Sequence, residues 1–253
     1  MLNSVFAIAI TSYREAIRSK VLYSVLFFVI LLICATSIFG QATIGDFNKV
    51  VKDFGLMSIS FFSVIFCIIT GATMLFKDLS KKTIYTIISR PIKRWEFIAG
   101  KFIGLLMTVS VLLILMIVLF EAYLFLLQGS FDWSLLIAFY FVWLELIVIS
   151  ATTIFFSSIF VTPTVNGLCT FGVFLAGRSA ESILQFSTMS QNKLVSAIYW
   201  FIPNLEKLTV SNEIVYGELP NISYSFSSLG YAIGYSSILL ILASFFFNRR
   251  QFN

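Results

Sequence analysis

The chain is 253 residues long, 59% hydrophobic and only 11% charged, with a mean hydropathy of +0.97. That balance excludes a soluble domain, and the net charge of +5 does not signal nucleic acid, because the basic residues sit beside apolar runs, where membrane orientation accounts for them. There is no histidine, which removes the commonest general base and metal ligand, and Cys34, Cys67 and Cys169 all fall inside apolar runs without metal-ligand spacing.

In residues 1–20 no basic residue precedes the first apolar positions, unlike a signal peptide. Phe6, Ile10, Tyr13 and Ile17 recur at helical spacing while Thr11, Arg14 and Arg18 mark another face. This predicts an amphipathic helix lying on the membrane. Six apolar runs follow, at 21–39, 56–76, 102–124, 135–158, 164–180 and 229–247. Each is near the ~20 residues a helix needs to cross hydrocarbon. The fifth, built around "GLCTFGVFLAG", is short and interrupted by glycines, which also suits close packing or a broken helix.

Six spans with the N-terminus inside place Arg14, Arg18, Lys20, the basic residues of 77–101, Arg249 and Arg250 in the cytoplasm, 12 of the 17 basic residues. Lys49, Lys52, Arg178, Lys193 and Lys207 fall outside with most of the acids. The positive-inside bias therefore favours six spans and two cytoplasmic termini. The segment 181–228 is then extracytoplasmic. Its "LVSAIYWFIPNLEKL" has an interfacial look, which predicts one or two short helices leaning on or dipping into the outer leaflet.

Polar groups inside the apolar runs are few. Glu145 lies about ten residues into the fourth span, roughly 15 Å deep. A carboxylate there costs on the order of 2.5 kcal/mol or more unless paired, protonated or facing water. It either lines a transport pathway or dimer seam, or is a protonated acid hydrogen-bonded between packed helices. Asn166 opens the fifth span and is either part of the same pathway or seam, or a helix cap. Ser150, Thr153 and Ser157 form a hydroxyl stripe suited to packing. Glu121 falls near the outer end of the third span, where it is expected to reach the interface.

The densest charge lies in "FKDLSKKTIYTIISRPIKRWEFIAGK", residues 76–101, which holds seven basic residues against Asp78 and Glu96. Ile84, Ile87 and Ile88 recur at i, i+3, i+4, predicting a short amphipathic helix over about 80–88. Pro91 disfavours helical geometry at Arg90 and suits the first turn of a second helix. That second helix carries Lys93, Arg94, Trp95 and Glu96 and runs through Lys101, whose side chain is expected to snorkel, into the third span.

This stretch resembles the segment between the second and third spans of type-2 ABC exporter permeases. The places of the family pattern fall here at Asp78, Thr83, Ile84–Ile88, Ser89–Pro91, Arg94, Trp95–Glu96 and Gly100–Lys101. Lys82 stands where the family usually has glycine. "YWFIPNLEKL" at 199–208 resembles the "PN-x-E" feature of the NosY-like branch, linked to multi-copper-enzyme maturation. The resemblance implies an all-α integral membrane permease in one domain, in a bacterial cytoplasmic membrane. Its coupling segment would be 77–96, with Asp78, Lys81, Lys82, Thr83, Ile84, Ile87, Ile88, Arg90, Pro91, Arg94, Trp95 and Glu96 docking a separate ABC ATPase.

No G-x-x-x-x-G-K-[ST] sequence is present. The resemblance therefore implies that this chain is no enzyme and carries no cofactor, with ATP and magnesium held by two partner ATPase subunits. A second permease copy or a paralogue would complete the pathway, an extracytoplasmic accessory protein would be a further partner, and nucleic acid is not one. The rival readings are a non-transporting assembly or signalling subunit driven by the same type of ATPase, and a small integral-membrane transferase. The latter would need acids clustered at one membrane face, and here they are scattered.

Overall fold

A computed structural model of the chain describes residues 2–18, 23, 27, 30, 47–80, 94–129, 131–160, 162–184, 202–210 and 220–249. Their helices are α1 (Leu2–Ile17), α2 (Phe47–Ser80), α3 (Arg94–Gln128), α4 (Trp133–Ile159), α5 (Pro163–Arg178) and α6 (Ile222–Arg249), with a 3-10 turn at Glu206–Leu208. No strand occurs among the described residues. The first predicted span, 21–39, lies outside them except at Tyr23, Phe27 and Ile30, and so does 81–93, with the predicted short coupling helix and Pro91.

Local chemistry sets the helix ends. Gly129, at φ 69, closes α3 in the left-handed conformation glycine tolerates, its N–H donating to the Phe125 carbonyl at 2.8 Å. Asp132 then caps α4, its carboxylate accepting the Ser134 N–H at 3.2 Å. Thr162 is extended, as a residue before proline must be, and Pro163 opens α5 at a position whose missing N–H costs nothing.

Among the described residues four helices, α2, α3, α4 and α6, are long and apolar enough to cross a membrane. They differ in where they stand. The most apolar window of α4 is 78% buried and that of α6 only 17%, so α4 is the central post and α6 leans on it and on α3. The outward face of α6 (Ile238, Ile241, Phe245) and that of α3 (Ile114, Val118, Leu126) are exposed. Such faces belong in lipid, where an apolar surface needs no cover.

The fifth predicted span, 164–180, is a helix of 16 residues, about 24 Å at 1.5 Å per residue; Ser179 interrupts it and the backbone is helical again over 180–184. It folds back antiparallel along α4 and ends near that helix's middle.

The N-terminal helix adds a protein-facing stripe to the lipid-facing one expected of it. The buried stripe is Ala9, Ser12 and Ala16, while Phe6 is 56% exposed. This small-residue stripe docks on Gly100 and Gly104 of α3, a G-x-x-x-G pair that lets backbones approach closely. A Cβ at Gly100 would meet Ile8 at 2.8 Å, and one at Gly104 would meet Ser12 at 2.7 Å and the Ala9 carbonyl at 2.8 Å. So α1 is bolted to the first turns of α3 rather than lying on lipid alone.

Lys101 is only 4% exposed, with its ammonium 5.7 Å from the Phe97 ring centre, and Phe247 of α6 stacks on Phe97. Glu121, near the outer end of its span, is buried beside the Lys52–Asp132 pair, because α3 turns that face inward.

Gly104→Ala is expected to lower the melting temperature of the purified protein in detergent, since part of its clash is with backbone. Gly172→Ala in α5, where a Cβ meets nothing within 4 Å, should leave it unchanged.

Candidate functional site: a buried ion pair closed by a re-entrant turn

Glu145 is 1% exposed, and its carboxylate is met from two helices. The Arg178 guanidinium approaches in a fork, Nε to Oε1 and Nη2 to Oε2, both at 2.9 Å. Ser60 of α2 donates its hydroxyl to Oε2 at 3.0 Å and accepts from Arg178 Nη2 at 2.6 Å. Two-point pairing of this kind is the strong form of a charged hydrogen bond and gives fixed geometry. Phe174, one turn back on α5, lies under the guanidinium with its ring centre 5.6 Å away. The cation also ends α5, where the helix dipole favours positive charge. The cluster ties α2, α4 and α5 together at mid-depth.

Sequence reasoning placed Arg178 on the outer surface and missed this pair. The signal was there. Glu145 lies 17 residues before the N-cap Thr162 and Arg178 lies 16 after it, so a tight turn between antiparallel helices brings both to one depth.

Asn166 is 1% exposed and is not the cap, which is Thr162. Its amide donates to Ser157 of α4, and its Oδ1 accepts from Thr170 at 3.1 Å. Ser150 and Thr153 return their hydroxyls to carbonyls four residues back, at 2.6 and 2.8 Å, and Ser150 also contacts Cys67 at 3.2 Å. The hydroxyl stripe therefore packs, as expected.

The end of α5 would leave open carbonyls inside the bundle. Residues 203–210 close it. Leu205 N–H donates to the Gly177 carbonyl at 3.1 Å, and a Cβ at Gly177 would lie 2.6 Å from the Pro203 carbonyl. The "PN-x-E" residues are structural in this turn. Asn204 N–H donates to the Tyr231 hydroxyl at 2.7 Å, Asn204 Oδ1 accepts from Lys207 N–H at 3.2 Å, and Glu206 Oε2 accepts from Glu181 N–H at 2.8 Å. Tyr231 lies nine residues into α6, about 13 Å along it. The turn thus dips into the bundle, with Leu205, Leu208 and Val210 buried.

About two turns nearer the start of α2 than Ser60, Lys52 pairs with Asp132, which also accepts from the Ser134 hydroxyl. Burial pushes the Asp132 carboxyl up, but the Lys52 ammonium and the Ser134 hydroxyl and amide outweigh it and hold the carboxyl below the usual carboxylate range. Among the described residues no group of His, Cys, Asp and Glu is close enough to hold a metal.

Of the predicted docking residues, Asp78 belongs to the last turn of α2 and Arg94 opens α3. Trp95 is 45% exposed and Glu96 only 3%, so they face opposite ways. Lys81, Lys82, Thr83, Ile84, Ile87, Ile88, Arg90 and Pro91 lie outside the described residues.

The fold and this site define a multi-pass α-helical membrane protein in which α5 is held by a buried ion pair and closed by a re-entrant turn. The sequence pattern of the family described as ABC-2 family transporter protein matches residues 6–252. The chain belongs to that family, whose members are membrane components of ABC transporters rather than catalysts in their own right. No curated protein matches the chain.

Removing one partner of a buried pair leaves the other charge uncompensated, at about 3–5 kcal/mol. Arg178→Met is therefore expected to destabilise the protein strongly in detergent melts, and the double variant Glu145→Leu/Arg178→Met to recover most of the loss. The Asp132 carboxyl, lowered in the folded state, adds stability above its unfolded pKa and loses it as pH falls through the folded value. Asp132→Asn should reduce stability at neutral pH and flatten its decline on acidification, followed by melting from pH 7 to about 3.

Proposed function

We propose that the chain is the permease subunit of an ATP-driven exporter in a bacterial cytoplasmic membrane, with both termini cytoplasmic and residues 77–96 docked on a separate ATPase. Family membership carries the reading, and the continuity of α3 supports it. From Arg94, at the end of the basic segment, to Gln128 the chain is one unbroken 35-residue helix, about 52 Å long. A push delivered at 81–94 is transmitted along that rod. The bolted α1 moves with it, and α4 and α6, packed on its side, feel it next.

Two ATPase subunits, holding ATP and magnesium, and a second permease copy or paralogue complete the assembly. An open apolar groove of about 480 Å³ between α2 and α5, lined by Ile65, Ile68, Ala72, Pro163, Gly167 and Leu168, supports a seat for that second permease. Glu145 and Asn166 stand behind it, holding its walls in place rather than meeting the substrate. The "PNLE" turn supports the NosY-like branch.

The test lies in the basic segment. Ile87→Asp puts a charge into the docking surface, where an unpaired buried charge costs several kcal/mol. This variant is expected to reach the membrane but lose the ATPase on purification. Pro91→Ala, which straightens the break, should retain some binding with poor coupling of hydrolysis to transport. A stoichiometric ATPase on the Ile87→Asp protein, at wild-type hydrolysis rates, would reduce the segment to a solvated loop and remove the docking role.

A further inference from the structure

Between α1, α3 and α4 runs an open groove of about 660 Å³, within the range of small-molecule sites. Its floor is Ile103, Leu106 and Val111 of α3, two turns or about 12 Å of helix. Trp143 of α4 closes one end, with its indole N–H donating to Ser110 at 3.0 Å, so the floor leaves that donor satisfied. The exposed Ile114, Leu115 and Val118 continue the floor along α3. The groove therefore opens sideways into hydrocarbon.

Its α1 wall carries Tyr13 and Arg14. Arg14 is exposed, and Arg18, one turn on at i+4, is exposed on the same side. Neither forms an ion pair among the described residues. The nearby acid, Glu15, points the other way and meets Lys77 of α2 at 3.8 Å. Charge is thus sorted across α1. Two like charges one turn apart repel unless an anion lies between them.

We propose that this groove binds an anionic phospholipid of the leaflet that carries α1. An acyl chain would lie on Ile103, Leu106 and Val111 against Trp143, and the phosphate would sit between the Arg14 and Arg18 guanidiniums beside the Tyr13 hydroxyl. The inference does not depend on which side of the membrane α1 occupies, so it stands or falls separately from ATPase docking.

Trp143 supplies the readout. In a full-length chain with Trp95, Trp133 and Trp200 changed to Phe, Trp143 is the last of the four tryptophans. Reconstituted with phospholipid brominated on its acyl chains, it should be quenched more by phosphatidylglycerol than by phosphatidylcholine at equal mole fraction. The preference should be roughly fivefold for each arginine engaged. Arg14→Gln/Arg18→Gln should abolish the preference while leaving phosphatidylcholine quenching unchanged. Should that variant fail to fold, the unaltered arginines decide the matter, because the preference must then fall as salt rises. Equal quenching by the two lipids, or a preference that survives both the substitutions and high salt, would overturn the proposal.

Discussion

A charge in the middle of a membrane protein has to be answered before anything else is packed, and here Glu145 is that charge. Its carboxylate is almost wholly buried in the most enclosed helix of the bundle. The bidentate contact from Arg178 sets where α5 must end, and Ser60 sets how α2 is rotated. Ending α5 at mid-depth leaves its last carbonyls in want of donors. The Leu205 amide meets one of them, which draws residues 203–210 into the bundle and Tyr231 of α6 against them. One ion pair thus explains a short helix, a re-entrant turn and the hydrogen bonds of "PNLE".

The second constraint is steric. Where α1 meets α3 there is no room for any side chain at Gly100 or Gly104, and the facing residues are Ala9 and Ser12. Inside a membrane, helices gain little from hiding apolar surface from one another, since lipid is equally apolar, so close backbone approach is what holds them. Phe6 of α1 stays outward for the same reason. The result is an amphipathic helix whose small face binds protein and whose bulky face is left to the bilayer.

These two features divide the molecule along its depth. Toward the end of α3 that begins at Arg94, α1 and α3 form one stiff unit that continues into the basic segment. At mid-depth, α2, α4 and α5 are locked by charge. The chain thus combines one unbroken 35-residue rod with a polar fastening between three of its other helices.

The sequence by itself determined the class of protein, the run of apolar helices after the basic segment, the gap between the fourth and fifth apolar runs and the packing role of Ser150, Thr153 and Ser157. These follow from length, periodicity and the cost of burying charge, which act along the chain. It also marked Glu145 as a group in need of a partner, without naming one. Only the tertiary structure decided that the partner is Arg178, that the fifth apolar run is interrupted at Ser179, that Lys101 and Glu121 are buried, and that α1 turns Ala9, Ser12 and Ala16 against α3. Hydropathy scores each residue against water and lipid, but in a membrane the bulky apolar face is equally content in either lipid or protein. Which face is chosen depends on close fit and on charge meeting charge at the same depth, and both are properties of two helices at once.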